Sequence, residues 1–245
     1  QLITTGIYNT LLGGGAGDAL TDADENTGIG FNALTTDTLG SKSLAVGRSA
    51  LALQNFATAT DTYNTAVGYF AGVNVTTGVQ NTILGGLTAD ALTTGTHNTA
   101  LGTIALTGDT KGNFSVAVGY GTLAAQNFTT STDTYNTAVG AYAGNDITTG
   151  AGNTIVGGFA GDALIDADFN VAMGKNALSS DTYGSFSTAL GTNALELQNF
   201  ATATNTFNTA VGALAGAAVT TATHNTLIGA AAGDALTTGS SNVAV

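Results

Sequence analysis

Residues 64–68 read Asn-Thr-Ala-Val-Gly, and close variants of this five-residue motif recur along the whole chain of 245 residues. The copies are spaced in a fixed order, in which three 17-residue repeats are followed by one 21-residue repeat. These four repeats together make a 72-residue unit. A fixed period of about 20 residues is typical of solenoids, in which each repeat stacks on the next. The closing glycines of the thirteen full copies are Gly13, Gly30, Gly47, Gly68, Gly85, Gly102, Gly119, Gly140, Gly157, Gly174, Gly191, Gly212 and Gly229.

The residue types within one repeat favour short strands rather than helices. Thr, Val, Ile and Asn fill the motif, Gly and Asp follow it, and the chain contains no proline, which cannot donate to a strand ladder. We therefore predict an all-β fold, a parallel β-solenoid (β-roll) of about 13 coils. No linker interrupts the repeats, so we expect residues 1–245 to form one continuous domain. The fourteenth copy of the motif breaks off at Val245, so we expect this domain to be a segment of a longer fibre.

The charge balance excludes several classes of partner. Sixteen acidic residues against four basic ones give a net charge of −12, so the chain lacks the basic stripe that a nucleic-acid-binding protein needs. An anionic membrane surface would repel it, and no apolar run reaches the length of a membrane span. We predict no nucleic-acid partner, no membrane insertion in this segment and no cofactor.

We number each repeat from its closing glycine, which is position 0. Position −1 is apolar in every copy, and position −3 shares its face because side chains alternate along a strand. We expect both positions to point into the coil. Position −4 is Asn or Ser in every copy, and stacked Asn side chains can hydrogen-bond from coil to coil. We predict such an Asn ladder, with a simple turn-forming role as the alternative.

Position −2 then faces away from the coil interior, although it is never polar. A continuous apolar stripe is not expected to stay in contact with water, which predicts that another copy of the chain covers it. The alternative is that a second sheet of the same coil covers this face. The large side chains at position −2 recur once in every four repeats. The predicted oligomer interface comprises Leu11, Ala66, Ile83, Ala138, Ile155, Ala210 and Leu227.

Each 21-residue repeat carries the sequence Gln-Asn-Phe. Phe56, Phe128 and Phe200 would therefore recur along one edge of the solenoid as an aromatic row. Such a row could anchor a neighbouring chain or a ligand. The alternative, which we favour, is that each Phe packs under its own loop.

Several copies of the motif resemble a known family of surface proteins. Residues 115–119 (Ser-Val-Ala-Val-Gly), 170–174 (Asn-Val-Ala-Met-Gly) and 242–245 (Asn-Val-Ala-Val) resemble the head repeats of YadA-like trimeric autotransporter adhesins, and similar arrays occur in phage tail-fibre shafts and bacterial surface fibres. The resemblance implies a left-handed parallel β-roll, a homotrimer of chains side by side, and attachment as the function. It also implies an extracellular location, at a cell surface or in a virion fibre. The coils here are longer than the family's.

The residues offer little support for catalysis. His97 and His224, the two histidines, occupy the same repeat position seven coils apart and cannot share a proton or a metal. Asp37, Asp109 and Asp181 recur once in every four repeats, too far apart for a pair of catalytic carboxylates. We predict that the chain is not an enzyme, with a polysaccharide lyase or hydrolase on a β-helix as the alternative.

Acidic clusters raise the question of calcium, which takes six to eight oxygen ligands. The pattern around Ala16 departs from the calcium-binding nonapeptide repeat, so solvated turn residues are the preferred interpretation and no metal is predicted. The weak candidates for calcium ligands are Asp18, Asp22, Asp24, Asp162, Asp166 and Asp168.

The repeat therefore predicts a non-catalytic extracellular fibre segment, the head or shaft of an adhesin or a tail-fibre shaft. It would form a stiff rod that associates with itself, in line with the implied trimer, and would attach to an unknown surface receptor or glycan. One alternative is a structural filament or sheath whose subunits also stack end to end. Another is an ice-binding β-roll, which the inward assignment of the threonines at position −3 argues against.

Overall fold

The computed structural model describes residues 3–245, and over this range the chain is all-β without a helix. Parallel strands stack into a β-solenoid of about 14 turns with about 17 residues per turn, which confirms the predicted fold class. The strands are β1 (Thr10–Leu12), β2 (Thr27–Ile29), β3 (Gly40–Ser41), β4 (Leu44–Val46), β5 (Thr60–Asp61), β6 (Thr65–Val67), β7 (Thr82–Leu84), β8 (Thr99–Leu101), β9 (Gly112–Asn113), β10 (Val116–Val118), β11 (Thr132–Asp133), β12 (Thr137–Val139), β13 (Thr154–Val156), β14 (Val171–Met173), β15 (Gly184–Ser185), β16 (Thr188–Leu190), β17 (Thr204–Asn205), β18 (Thr209–Val211), β19 (Thr226–Ile228) and β20 (Val243–Ala244).

The contacts divide the chain into two compact units. The first comprises Gln1–Ser115 and Asn127–Asp133, and in it the motif strands pair in the order β1-β2-β4-β6-β7-β8. The second comprises Val116–Gln126 and Thr134–Val245, and in it the order is β10-β12-β13-β14-β16-β18-β19-β20. The expectation of one continuous domain over residues 1–245 stays a prediction.

The motif strands pair in register, so that equal repeat positions lie side by side. Thr65 pairs with Thr82, and Val67 with Leu84. The register survives the 21-residue repeat, because Leu44 pairs with Thr65 in the same way. The extra residues instead form an exposed bulge over residues 57–59, just before β5. The four additional residues of a 21-residue repeat therefore do not change the pairing of the strands that the five-residue motif forms.

Each coil turns at three positions with a left-handed backbone, namely −5, +2 and +4. In one repeat these are Gln80 (φ 58°), Leu87 (φ 54°) and Ala89 (φ 47°). Such angles are uncommon for residues other than glycine. Because these angles recur at the same positions in every repeat, the coil bends with a left-handed backbone at non-glycine residues as well as at glycines.

The burial of the motif strands contradicts the predicted orientation. The prediction that −1 and −3 point inward and −2 outward was wrong, because Ile83 is fully buried while Leu84 next to it is 46% exposed. Positions −2 and −4 share one face of a strand, so the inward Asn ladder and the inward −2 residues belong together. The predicted interface residues Ala66, Ile83, Ala138, Ile155, Ala210 and Leu227 lie in the core of their own chain, and Leu11 is half-buried.

The large residue at −2 fills space that glycine leaves at +4. The Ile155 Cδ1 atom lies 3.1 Å from where a Cβ on Gly144 would be and 3.2 Å from where one on Gly161 would be. Leu178 and Leu195 occupy the same +4 position in coils whose −2 residue is alanine, and both are fully buried. The recurrence of large −2 side chains in every fourth repeat is therefore a packing pattern of the core rather than a row of intermolecular knobs.

Candidate functional surface

The outward face of the motif strands is the most regular surface of the protein. It consists of the −3 and −1 columns, which we call the motif face, and its side chains are half-buried or exposed. No charged residue occupies either column, although the chain carries a net charge of −12. The −1 column is aliphatic apart from Met173. The −3 column holds Leu44, Val116, Val171 and Val243 besides ten threonines, which are Thr10, Thr27, Thr65, Thr82, Thr99, Thr137, Thr154, Thr188, Thr209 and Thr226.

The hydroxyls of these ten threonines form no hydrogen bond within residues 3–245. Threonines elsewhere in the coils behave differently. The Thr93 hydroxyl donates to the Thr110 carbonyl oxygen over 2.9 Å, and the Thr76 hydroxyl to the Thr93 carbonyl oxygen over 3.2 Å. The threonines of the motif face therefore present unused donors and acceptors to whatever lies outside.

The predicted Asn ladder is confirmed. In the second unit, the Oδ1 atom of Asn136 accepts from the backbone N–H of Asn153 over 2.9 Å, and Asn153 Oδ1 accepts from that of Asn170 over 2.9 Å. The Asn153 side-chain amide also donates to the Ala167 carbonyl oxygen over 2.8 Å. Asn153 and Asn170 are fully buried, so the ladder satisfies polar backbone groups inside the coil.

The aromatic row predicted from Phe56, Phe128 and Phe200 does not form an exposed edge. The three side chains are only 6%, 8% and 7% exposed. Each packs under its own 21-residue coil, which is the interpretation favoured from the sequence. They are therefore not available as an anchor or a ligand-binding row.

A buried polar cluster lies beside each Gln-Asn-Phe segment and was not predicted from the sequence. The Gln198 side-chain amide donates to Asp181 Oδ2 over 2.5 Å and to the Ser187 hydroxyl over 2.8 Å, while its Oε1 atom accepts from the Asn208 side-chain amide over 2.8 Å. Asp181 Oδ1 in turn accepts from the Gly184 backbone over 3.1 Å. The sequence does contain a signal for this cluster, because each such Asp precedes the next Gln by 17 residues, the length of one short repeat. The cluster is structural, since it fixes the wider coil.

A second missed feature is an exposed aromatic column at position −5. In the second unit the rings of Phe169 and Phe186 stack with centroids 5.2 Å apart, and Phe207 follows at 5.5 Å. Phe169 is 55% exposed and Phe207 49%. The two histidines belong to this column, with His97 stacked on Phe114 at 4.7 Å and His224 5.3 Å from Phe207. The rings mostly face each other, so the column exposes ring edges rather than faces.

The candidate calcium ligands serve as hydrogen-bond acceptors for the preceding coil. Asp24 accepts from the Ile7 backbone over 2.7 Å, Asp168 from the Ala151 backbone over 2.8 Å, and Asp166 from the Thr149 hydroxyl over 2.7 Å. Asp22 accepts from the hydroxyl of Thr5. Within residues 3–245 no group of three acidic or histidine side chains is placed to hold a metal. Asp18, on an exposed turn, belongs to no such group either.

Asp162 differs from the other acids. Burial raises the pKa of its carboxyl above its ordinary value, and the nearby Asp146 carboxylate raises it further. Its Oδ1 atom has no hydrogen-bond partner in the described chain. The folded state therefore binds this proton more tightly than the unfolded state does, so ionising Asp162 as the pH rises destabilises the fold.

The comparisons with known proteins add no relative. No family model, curated protein or solved structure matches the chain. Within residues 3–245 no pocket forms, and no helix of membrane-spanning length is present. The surface columns described above are therefore the features from which a function has to be inferred.

Proposed function

We propose that this chain is a non-catalytic segment of an extracellular fibre, part of an adhesin head or shaft or of a tail-fibre shaft. The observation that supports it is the unbroken in-register pairing of motif strands within each unit. At every step the N–H at position −3 donates to the position −4 carbonyl oxygen of the next coil, as Thr65 does to Asn81 over 2.8 Å. Ladders of this kind resist bending and stretching, and they hold exposed side chains at fixed intervals.

Self-association through exposed aromatic residues is part of this proposal. The buried −2 residues cannot form the contact, whereas the −5 column of the second unit exposes Phe169, Phe186 and Phe207 to solvent. Aromatic residues are enriched at the centres of protein interfaces. We propose that parallel copies of the chain pack along this column, and the resemblance to trimeric adhesins implies three of them. A surface receptor or glycan would then be bound by the assembled fibre.

The test is the size and shape of the purified chain. We expect sedimentation velocity to show a species several times the 24.0 kDa of one chain, and electron microscopy to show short fibres of uniform length. Indefinite filaments in the images would favour the alternative of a structural filament or sheath. A 24.0 kDa monomer at every concentration would contradict self-association.

A matched pair of variants locates the contact. Phe186→Ser removes the middle ring of the stack, and we expect it to shift the oligomer towards monomer. Leu197→Ser removes an apolar side chain that is 51% exposed on the 21-residue coil and should leave the oligomer intact. Equal behaviour of the two variants would show that the contact lies elsewhere.

A further inference from the structure

The motif face has the chemistry of a surface that orders water. Within each unit five threonines of the −3 column, among which leucine or valine also occurs, lie beside the apolar −1 column, and these threonines keep their hydroxyls free of intramolecular bonds. Hydroxyls can bond water molecules at fixed points, while methyl groups between them confine water without binding it. We propose that the motif face binds ice. This proposal does not rest on the fibre assignment.

The spacing of the two columns supports a crystalline ligand. Neighbouring threonines such as Thr137 and Thr154 lie on paired strands, which are about 4.8 Å apart. Thr154 and Val156 lie two positions apart on one strand, which is about 6.7 Å. Both distances are of the order of the repeats between oxygen atoms on the prism planes of hexagonal ice. Each unit thus presents a two-dimensional array whose spacings are close to those of an ice surface.

The fold keeps this array regular. Equal positions pair throughout each unit, and the extra residues of the 21-residue repeats bulge out elsewhere, at residues 201–203 in the second unit. Thr188 and Thr209 therefore pair directly although one of these insertions lies between them. A binding surface for a lattice needs this constancy, since one shifted strand would break the match.

The composition of the face favours ice over a macromolecular partner. Interfaces between proteins are enriched in aromatic residues and arginine at their centres, and the two columns of the motif face contain neither. A partner would also have to satisfy the row of free threonine hydroxyls as it excluded water. Ice satisfies them without desolvation, because its surface consists of water.

The proposal is tested by the growth of ice in the presence of the purified full chain. We expect thermal hysteresis in a nanolitre osmometer and faceted ice crystals, neither of which an inert protein of equal mass produces. Absence of both effects at millimolar protein would overturn the proposal.

Charge-matched variants identify the face. Thr154→Lys combined with Thr188→Lys places two long cations in the −3 column, and we expect a severalfold loss of hysteresis. Thr202→Lys combined with Thr221→Lys makes the same change at exposed positions off the motif face and should retain full activity. Circular dichroism and melting curves confirm that both proteins are folded. Equal hysteresis of the two variants would overturn the assignment to this face.

A third variant separates the hydroxyl from the shape of the side chain. Thr154→Val should fold normally, since Val171 already occupies the paired position, and should lose only part of the activity. A further outcome distinguishes ice from a second copy of the chain. If the lysine variant of the motif face converts an oligomer to monomer without changing ice growth, the motif face is a protein interface and the proposal is wrong.

Discussion

The closing glycine of each repeat has a backbone conformation that L-residues rarely adopt. Gly157 has a φ of 136°, and a Cβ added to it would lie 2.6 Å from the carbonyl oxygen of Gly174 in the next coil. The positive φ and the close neighbouring carbonyl recur at most closing glycines. Glycine therefore permits the backbones of successive coils to approach each other at the carboxyl ends of the motif strands. One glycine per repeat is therefore a requirement of stacking.

We expect Gly157→Ala to lower the free energy of unfolding by at least about 2 kcal/mol, because strain in the backbone adds to the collision with Gly174. Chemical denaturation followed by circular dichroism measures the change. Gly158→Ala is the control, since its Cβ would have no neighbour closer than the Ala141 carbonyl oxygen at 3.9 Å. It should change stability by less than about 0.5 kcal/mol. A similar loss in both variants would contradict this account.

At the scale of the coil, side chains of complementary size fill the interior. A large −2 residue coincides with glycine or alanine at +4, as Ile155 does with Gly161 and Ile83 with Ala89. Where −2 is alanine, as at Ala172, a leucine at +4 often takes its place. Because both positions are buried in the structure, the correlation reflects the one narrow core that they share.

Exchanging the two sizes tests this packing. Ile155→Ala should cost about 2–4 kcal/mol through the cavity that it leaves, and Gly161→Leu about 1–3 kcal/mol through overpacking. The double variant reproduces the pattern of Ala172 and Leu178 in the next coil, so we expect it to be more stable than the sum of the single changes predicts. Denaturation of all four proteins measures the coupling. Strict additivity would show that the side chains do not share one space.

At the scale of the whole molecule, charge opposes association. Each chain carries a net charge of −12, and none of its charged residues lies on the motif face. Like charges on neighbouring copies repel each other, and salt screens that repulsion. The proposed oligomer should therefore depend on ionic strength.

We expect the fraction of oligomer at pH 7 to rise with added sodium chloride, as measured by sedimentation equilibrium. The salt dependence should nearly vanish near pH 4.1, the isoelectric point, where the net charge is removed. An oligomer that dissociates in salt at pH 7 would contradict the apolar contact proposed for the −5 column and indicate ion pairs instead.

The period, the all-β class and the existence of the Asn ladder could be predicted from the order of residues alone, whereas the burial of the ladder could not. They follow from the recurrence of Asn and Gly at constant positions, because each residue type suits one backbone environment. The motif strands could be located in the same way, because an Asn or Ser precedes each strand and a glycine follows it. In the strand Thr154–Val156 these neighbours are Asn153 and Gly157.

Which face of the motif strand is inside could be learned only from the folded chain. Alternation divides a strand into two faces but does not say which one is buried, and here each face combines one apolar column with one largely polar column. The interior of the coil is narrow, and position −2 fits it because −2 is alanine or glycine wherever +4 is a leucine such as Leu178, and is large only where +4 is glycine or alanine. The aliphatic −1 column, such as Val156, and the −3 column, such as Thr154, are left outside. The predicted interface was wrong for this reason, and the same packing exposes the surface that we propose to bind ice.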